Sequence, residues 1–221
     1  MTFFLSKYKC PTKFKRLLKR WKKSPLNYLD VGCGNHMPTL TKHWFPQVSY
    51  YGIDREVYNN NEADLLPMKM FYKCDLESDN LEAIPDNFFD VIMCSHVVEH
   101  LTDAHTLLKR LSPKLKSGGE IYLEFPSVRS LSLWSARGTL NFCDDGTHVR
   151  VYTIPELVNT LLANNMKIIR AGKARDWLRV VFFFFSWPFQ IYSLWKHGQI
   201  HSRYFLWDVT GFADYIHAVK R

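Results

Sequence analysis

Residues 27–36 read Asn-Tyr-Leu-Asp-Val-Gly-Cys-Gly-Asn-His, an apolar strand running into a bend punctuated by Gly32 and Gly34. A second short apolar run closes on Asp54, twenty positions beyond Gly34. A strand, a glycine bend and a second strand ending in an acid open a βαβ unit built around a nucleoside pocket. Glycines let the backbone approach a ligand where any Cβ would clash, and an acid at the end of the next strand can accept both ribose hydroxyls. Asp30 lies two residues before Gly32, and His36 stands where a dinucleotide fingerprint would carry its third glycine. A carboxylate there suits a ligand with an ammonium group better than a pyrophosphate, whose charge it would repel.

From this bend onward, strand and helix patterns alternate. Strands are predicted near 27–32, 50–54, 69–75, 89–95 and 118–125, with helices between, and Thr153-Ile154-Pro155-Glu156 starts a helix through Ala163. Proline is comfortable in that first turn. Alternation of this kind predicts an α/β fold in which a parallel sheet carries helices on both faces. Right-handed crossovers then bring the named strand ends to one edge, where doubly wound sheets bind ligands. Met166–Ala171 and Phe212–Val219 are the last two predicted strands.

Charge is distributed unevenly. Residues 1–23 carry nine Lys or Arg and no acid, residues 24–165 carry eleven basic against eighteen acidic residues, and residues 166–221 carry nine basic against three acidic. Phe14, Leu17, Leu18 and Trp21 recur at helical spacing among the cations, so residues 1–25 read as a basic amphipathic helix ended by Ser24-Pro25. Residues 26–221 read as one domain. Within it lies an aromatic-rich insertion at about 172–211, in which Val180–Trp195 is broken by Pro188 and falls short of the roughly 20 residues that span a bilayer. Basic ends around an acidic core point to an anionic membrane or nucleic acid as partners, against the bland reading of a solvated helix. Five scattered cysteines with no Cys-x-x-Cys pair suit a reducing cytoplasm, and Met1–Ser6 is too short for a signal-peptide core.

Ordered segments between Tyr28 and Pro126 then carry a resemblance. Asp30-Val31-Gly32-Cys33-Gly34, Gly52-Ile53-Asp54, Cys74-Asp75-Leu76, and Phe89–Ser95 with Val97-Val98-Glu99-His100-Leu101, leading into Gly118–Pro126, resemble a class I S-adenosylmethionine-dependent methyltransferase. The resemblance implies a Rossmann-like, mostly parallel seven-stranded sheet with an antiparallel last strand. It implies S-adenosylmethionine as cofactor and S-adenosylhomocysteine as product. Asp54 would meet the ribose, Asp75 the adenine amino group, and Asp30, Gly32, Cys33, Gly34, Arg55, Leu76 and Ser95 would complete the cofactor site. Small apolar packing is the competing reading for Cys33 and Cys94.

Methyl transfer asks little beyond alignment, because the sulfonium is already an excellent leaving group. Catalytic groups are therefore sought on the acceptor side, where His148, Glu99 and His100 are the candidates and His96 is their neighbour in sequence. The stretch also resembles the Glu-x-x-Glu-His pattern with which small-RNA 2′-O-methyltransferases and ubiquinone-pathway O-methyltransferases bind a divalent ion, with His96 in place of the first glutamate. A divalent metal on His96, Glu99, His100 and His148 is the less favoured reading; a structural role that opens a helix competes with it. Three acceptor readings stand. The first is a small-molecule, glycan or lipid-linked O or N atom, with the aromatic insertion as a lid or pressed on anionic lipid at the inner face of a membrane. The second is RNA, gripped by the basic ends, and the third a nucleotide-binding module without catalysis. The aromatics cluster in one apolar block, which favours the first.

Overall fold

The computed structural model describes residues 10–15, 25–135, 140–185, 188, 191–192, 195–196 and 203–221. Seven strands form one sheet: β1 (Asn27–Val31), β2 (Ser49–Asp54), β3 (Met68–Lys73), β4 (Phe89–Ser95), β5 (Leu115–Pro126), β6 (Met166–Lys173) and β7 (Ala213–Lys220). Their order is β3-β2-β1-β4-β5-β7-β6. Strands β1 to β5 pair in parallel, and β7 runs antiparallel to both neighbours. The order reverses beside β1, so the ends of β1 and β4 open the crevice where such sheets bind ligands.

Each face of the sheet has its own apolar core. On one, Leu29, Ile92 and Ile121 pack with Leu107, Leu108 and Leu111 of α3 (Ala104–Leu111) and with Leu157 and Leu161 of α4 (Ile154–Ala163). Asp103 caps α3, and Thr153 with Glu156 forms a capping box on α4, with Pro155 in the first turn. That is the start signal the sequence displays. On the other face, Tyr28, Tyr50 and Tyr122 pack with Phe45 and Phe14. Helix α1 (Met37–Trp44) follows the glycine bend, and α2 (Glu62–Leu65) is a single turn.

Two local expectations need correction. No helix joins β3 to β4: residues 74–88 make turns, because Asp75, Ser78, Asp79, Asn80, Pro85 and Asn87 supply turn chemistry in place of a helical period. Strand β5 starts at Leu115, three residues earlier than expected, and passes its glycines with a register shift against β4 and Gly118 at φ 75°.

Of the basic leading segment, residues 10–15 are described, and Leu17, Leu18 and Trp21 lie outside the described residues. Phe14 is fully buried and meets Phe45 edge to face at 5.2 Å. The insertion contributes α5 (Trp177–Phe185) and α6 (Arg203–Thr210), which pack together. Asp176 caps α5 by accepting from the Leu178 amide at 3.1 Å. No helix among the described residues is long and apolar enough to cross a membrane.

Candidate functional site

A cleft of about 740 Å³ opens along the carboxyl ends of β1, β2 and β4. Its near end is the glycine bend. Gly32 takes φ +73°, and a Cβ there would come within 2.5 Å of Val97 Cγ2; a Cβ on Gly34 would stand 2.9 Å from the Tyr58 carbonyl oxygen. The segment 55–61 is stitched over the bend, since the Asn35 amide donates to the Tyr58 carbonyl at 3.2 Å and Asn60 donates to the Cys33 carbonyl at 3.0 Å. Only glycines keep this cradle open.

Asp54, Arg55, Asp75 and Leu76 all line the cleft, as their sequence positions suggest. Burial raises the Asp54 carboxyl above its ordinary range, although it accepts the Arg55 amide at 2.8 Å. Arg55 pairs with Asp75 at 3.3 Å. Asp30, Cys33 and Ser95 are not among the cleft walls. Asp30 is only 2% exposed, because alternation along β1 turns it into the second core, where Tyr50 donates to it at 2.7 Å. Burial lifts its pKa to about 6, opposed by Lys13 and by the Tyr50 hydrogen bond. The Cys33 side chain is fully buried, with its sulfur under Gly52, and burial holds the thiol protonated.

The far end of the cleft brings Glu99, His100 and His148 together. Glu99 belongs to a single 3-10 turn at Val98–His100, and its carbonyl accepts the amides of Val149 and Arg150 at 2.9 and 3.3 Å. Those two bonds hold His148 against the turn. The His100 and His148 rings stand 4.9 Å apart. His148 Nδ1 donates to the Phe142 carbonyl at 2.7 Å, and His100 Nδ1 faces the Thr147 carbonyl at 3.2 Å. A carbonyl only accepts, so both rings carry their proton on Nδ1 when neutral and keep an Nε2 lone pair.

One donor atom each from Glu99, His100 and His148 lies within 4.8 Å of the others. Carboxylate and imidazole donors suit several divalent ions, the anchored Nδ1 atoms supply the outer hydrogen bonds that metal-binding histidines need, and buried Glu99 Oε2 has no hydrogen-bond partner. The residues fit such an ion. His96 does not join this cluster. Its Nδ1 lies 3.1 Å from Glu99 Oε1 and its Nε2 3.6 Å from Glu124 Oε1. Burial lowers its pKa, but the close carboxylates of Glu124 and Glu99 outweigh burial and raise it to about 9.

An aromatic wall that none of the sequence motifs includes completes the cleft. Trp207 and Phe212 stack at 4.6 Å and line the cleft, and Trp207 stands 5.2 Å from the His96 ring. Gly211 at φ 70° ends α6, and the amides of Gly211 and Phe212 both return to the Trp207 carbonyl. A left-handed glycine after a helix brings the residue beyond it onto the one four positions before it, so Trp207-x-x-x-Gly211-Phe212 was a legible signal.

The cleft counts five carboxylates among its walls, Asp54, Glu56, Asp75, Glu99 and Asp145, against one arginine and the protonated His96. Its field favours a cationic ligand and disfavours a polyanion.

A family model described as a methyltransferase domain matches residues 4–171. A ubiquinone biosynthesis O-methyltransferase of Bradyrhizobium sp. is 30% identical over 154 residues, covering 66% of this chain and 60% of that protein. A tRNA U34 carboxymethyltransferase of Nautilia profundicola is 35% identical over 100 residues, 43% of this chain and 33% of that protein. The chain thus spans no more than 60% of the length of these relatives. Among solved structures, an S-adenosylmethionine-dependent methyltransferase of Mesorhizobium loti superposes with a TM-score of 0.60 at 12% identity, covering 93% of this chain and 96% of that one. One from Archaeoglobus fulgidus gives 0.56 at 21% identity and covers 99% of both. These structural likenesses establish the Rossmann-like fold. With the family model matching well over half of its length, the chain belongs to the methyltransferase domain family, on the class I S-adenosylmethionine-dependent fold.

Proposed function

We propose that this chain binds S-adenosylmethionine at the Gly32–Gly34 bend and methylates an oxygen or nitrogen of a small-molecule, glycan or lipid-linked acceptor. One observation carries the reading: a single acidic cleft has a glycine cradle with Asp54 and Asp75 at one end and Glu99, His100 and His148 at the other. The bound cofactor supplies an electrophilic methyl group on a sulfonium, which requires alignment rather than covalent help. Asp54 would accept the ribose hydroxyls, Asp75 would face the adenine amino group, and Asp30 adds buried negative charge beneath the bend. The His148 Nε2 lone pair is placed to take a proton from the acceptor, and the Asp145 carboxylate stands 3.9 Å from that nitrogen. The Trp207 and Phe212 rings offer the acceptor a flat apolar wall.

RNA is the weaker acceptor. The similarity to a tRNA-modifying enzyme covers 43% of the chain, whereas five wall carboxylates would repel a phosphate backbone. Methyl-labelled cofactor incubated with separate lipid, glycan and RNA extracts tests the order. Label in the lipid or glycan fraction, lost in His148→Ala, supports the proposal; label confined to RNA overturns the acceptor class.

The clustering of Glu99, His100 and His148 also favours a second reading, in which the three hold a divalent ion that polarises the acceptor oxygen. Turnover by metal-free protein in chelator excludes it, and loss restored by a divalent ion supports it.

A further inference from the structure

Helix α5 has two faces. Phe183 is buried in the second core, and Arg179 turns inward to Asp176 and Asp208 at 3.5 and 3.6 Å. Trp177, Leu178, Val181, Phe184 and Phe185 face solvent, with exposures between 51% and 80%. At the helical repeat these five side chains fill about 120° of arc opposite Phe183. The apolar stripe that would ordinarily seek a core is therefore turned outward, and Ile191, Tyr192 and Trp195, further along the insertion, are exposed as well. Single exposed apolar residues are ordinary, whereas a whole helical face of them is not.

Charge identifies what covers this face. Between Asp176 and Asp208 the sequence has no acidic residue, and besides the inward-turned Arg179 the stretch carries Lys196 and Arg203. Lys196 Nζ sits over the Tyr192 ring at 5.5 Å, which sets a cation at the edge of the aromatic surface. At the first turn of α5, Lys15 pairs with Asp176 and Arg179 donates to the Cys10 carbonyl at 2.9 Å. The helix thus begins against the leading segment, whose first 23 residues carry nine Lys or Arg and no acid. A second copy of this chain would bring like charges together across such a contact. An aromatic face edged by cations matches anionic lipid, with rings at the headgroup boundary and amines on phosphates.

We infer that the outer face of α5 docks this chain on an anionic lipid surface, with the helix lying in the headgroup plane. Helix α6 packs on α5 and carries Trp207 to the cleft, so docking sets the acceptor end of the cleft beside the membrane. The inference deepens the lipid-linked acceptor reading, yet lipid binding is measured without turnover, so either can fail alone.

Flotation of the full chain with phosphatidylcholine vesicles, with and without phosphatidylglycerol, tests it. The expected result is binding to the anionic vesicles that weakens with salt and falls at least about tenfold in Leu178→Glu/Phe184→Glu/Phe185→Glu. S-adenosylhomocysteine binding by the variant, measured by calorimetry, shows that it is folded. Should the variant fail to fold, the wild-type chain still gives an answer: lipids brominated on their acyl chains are expected to quench its tryptophan fluorescence. Absence of binding and quenching, equal binding by the folded variant, or self-association through this face without vesicle binding overturns the inference.

Discussion

The carbonyl of Phe142 accepts the Nδ1 proton of His148 across 2.7 Å, and this bond decides which nitrogen of His148 is left for chemistry. With Nδ1 occupied, the neutral ring presents Nε2. Replacing His148 by Ala is expected to lower kcat by about 10²–10⁴-fold, the usual range for a lost acid or base. Calorimetry with S-adenosylhomocysteine should show donor affinity unchanged. Full turnover by the variant would remove the catalytic role.

Between Glu99 and Glu124, His96 stays protonated through neutral pH, since its pKa is raised to about 9 from an ordinary 6.5. A raised histidine stabilises fully below its unfolded value and loses that stabilisation as pH climbs through its folded value. Stability should therefore decline between pH 6.5 and 9, with a slope of up to about 1.4 kcal/mol per pH unit. Urea titrations across that window should show the slope in the wild type and its loss in His96→Gln. An identical slope in both proteins contradicts the assignment.

Tyr50→Phe removes the donor to buried Asp30. Burial raises Asp30 to about 6, so the folded chain loses stability as pH rises from the ordinary 3.8 through that value, and the Tyr50 bond limits the loss. The substitution should cost about 1.5–3 kcal/mol at pH 8, where the carboxylate is charged, and less at pH 5. Denaturation at the two pH values checks this, and equal costs count against it.

Gly34→Ala would drive a methyl group to 2.9 Å from the Tyr58 carbonyl oxygen, displacing the segment that covers the bend. Donor affinity is expected to fall at least about tenfold, roughly 1.4 kcal/mol, in a protein with unchanged far-ultraviolet circular dichroism. Wild-type affinity in the variant would show that the cradle does not depend on glycine.

Much of this was legible in the chain because it is local. The Asp30–Gly34 bend, Asp54 and Asp75 each sit at the end of a strand whose apolar run is plain, and the parallel order follows from alternation. Glu99, His100 and His148 were legible as chemistry, but their meeting depends on the Glu99 carbonyl holding Val149 and Arg150 across fifty residues of chain. The inward turn of Asp30 is a matter of which sheet face its register selects, and a bend motif does not state that. In sequence the aromatic insertion reads equally as a lid or as a membrane contact. Apolar residues lie all around α5, and the pairing of Arg179 with Asp176 and Asp208, together with the burial of Phe183, fixes which face turns inward.

Isothermal calorimetry with S-adenosylmethionine and S-adenosylhomocysteine decides whether the glycine cradle and its carboxylates form the methyl-donor site. Saturable binding of both at one site per chain is expected, weakened together by Gly34→Ala and Asp54→Asn and unaffected by His148→Ala. A folded chain that gives no heat with either ligand would contradict it.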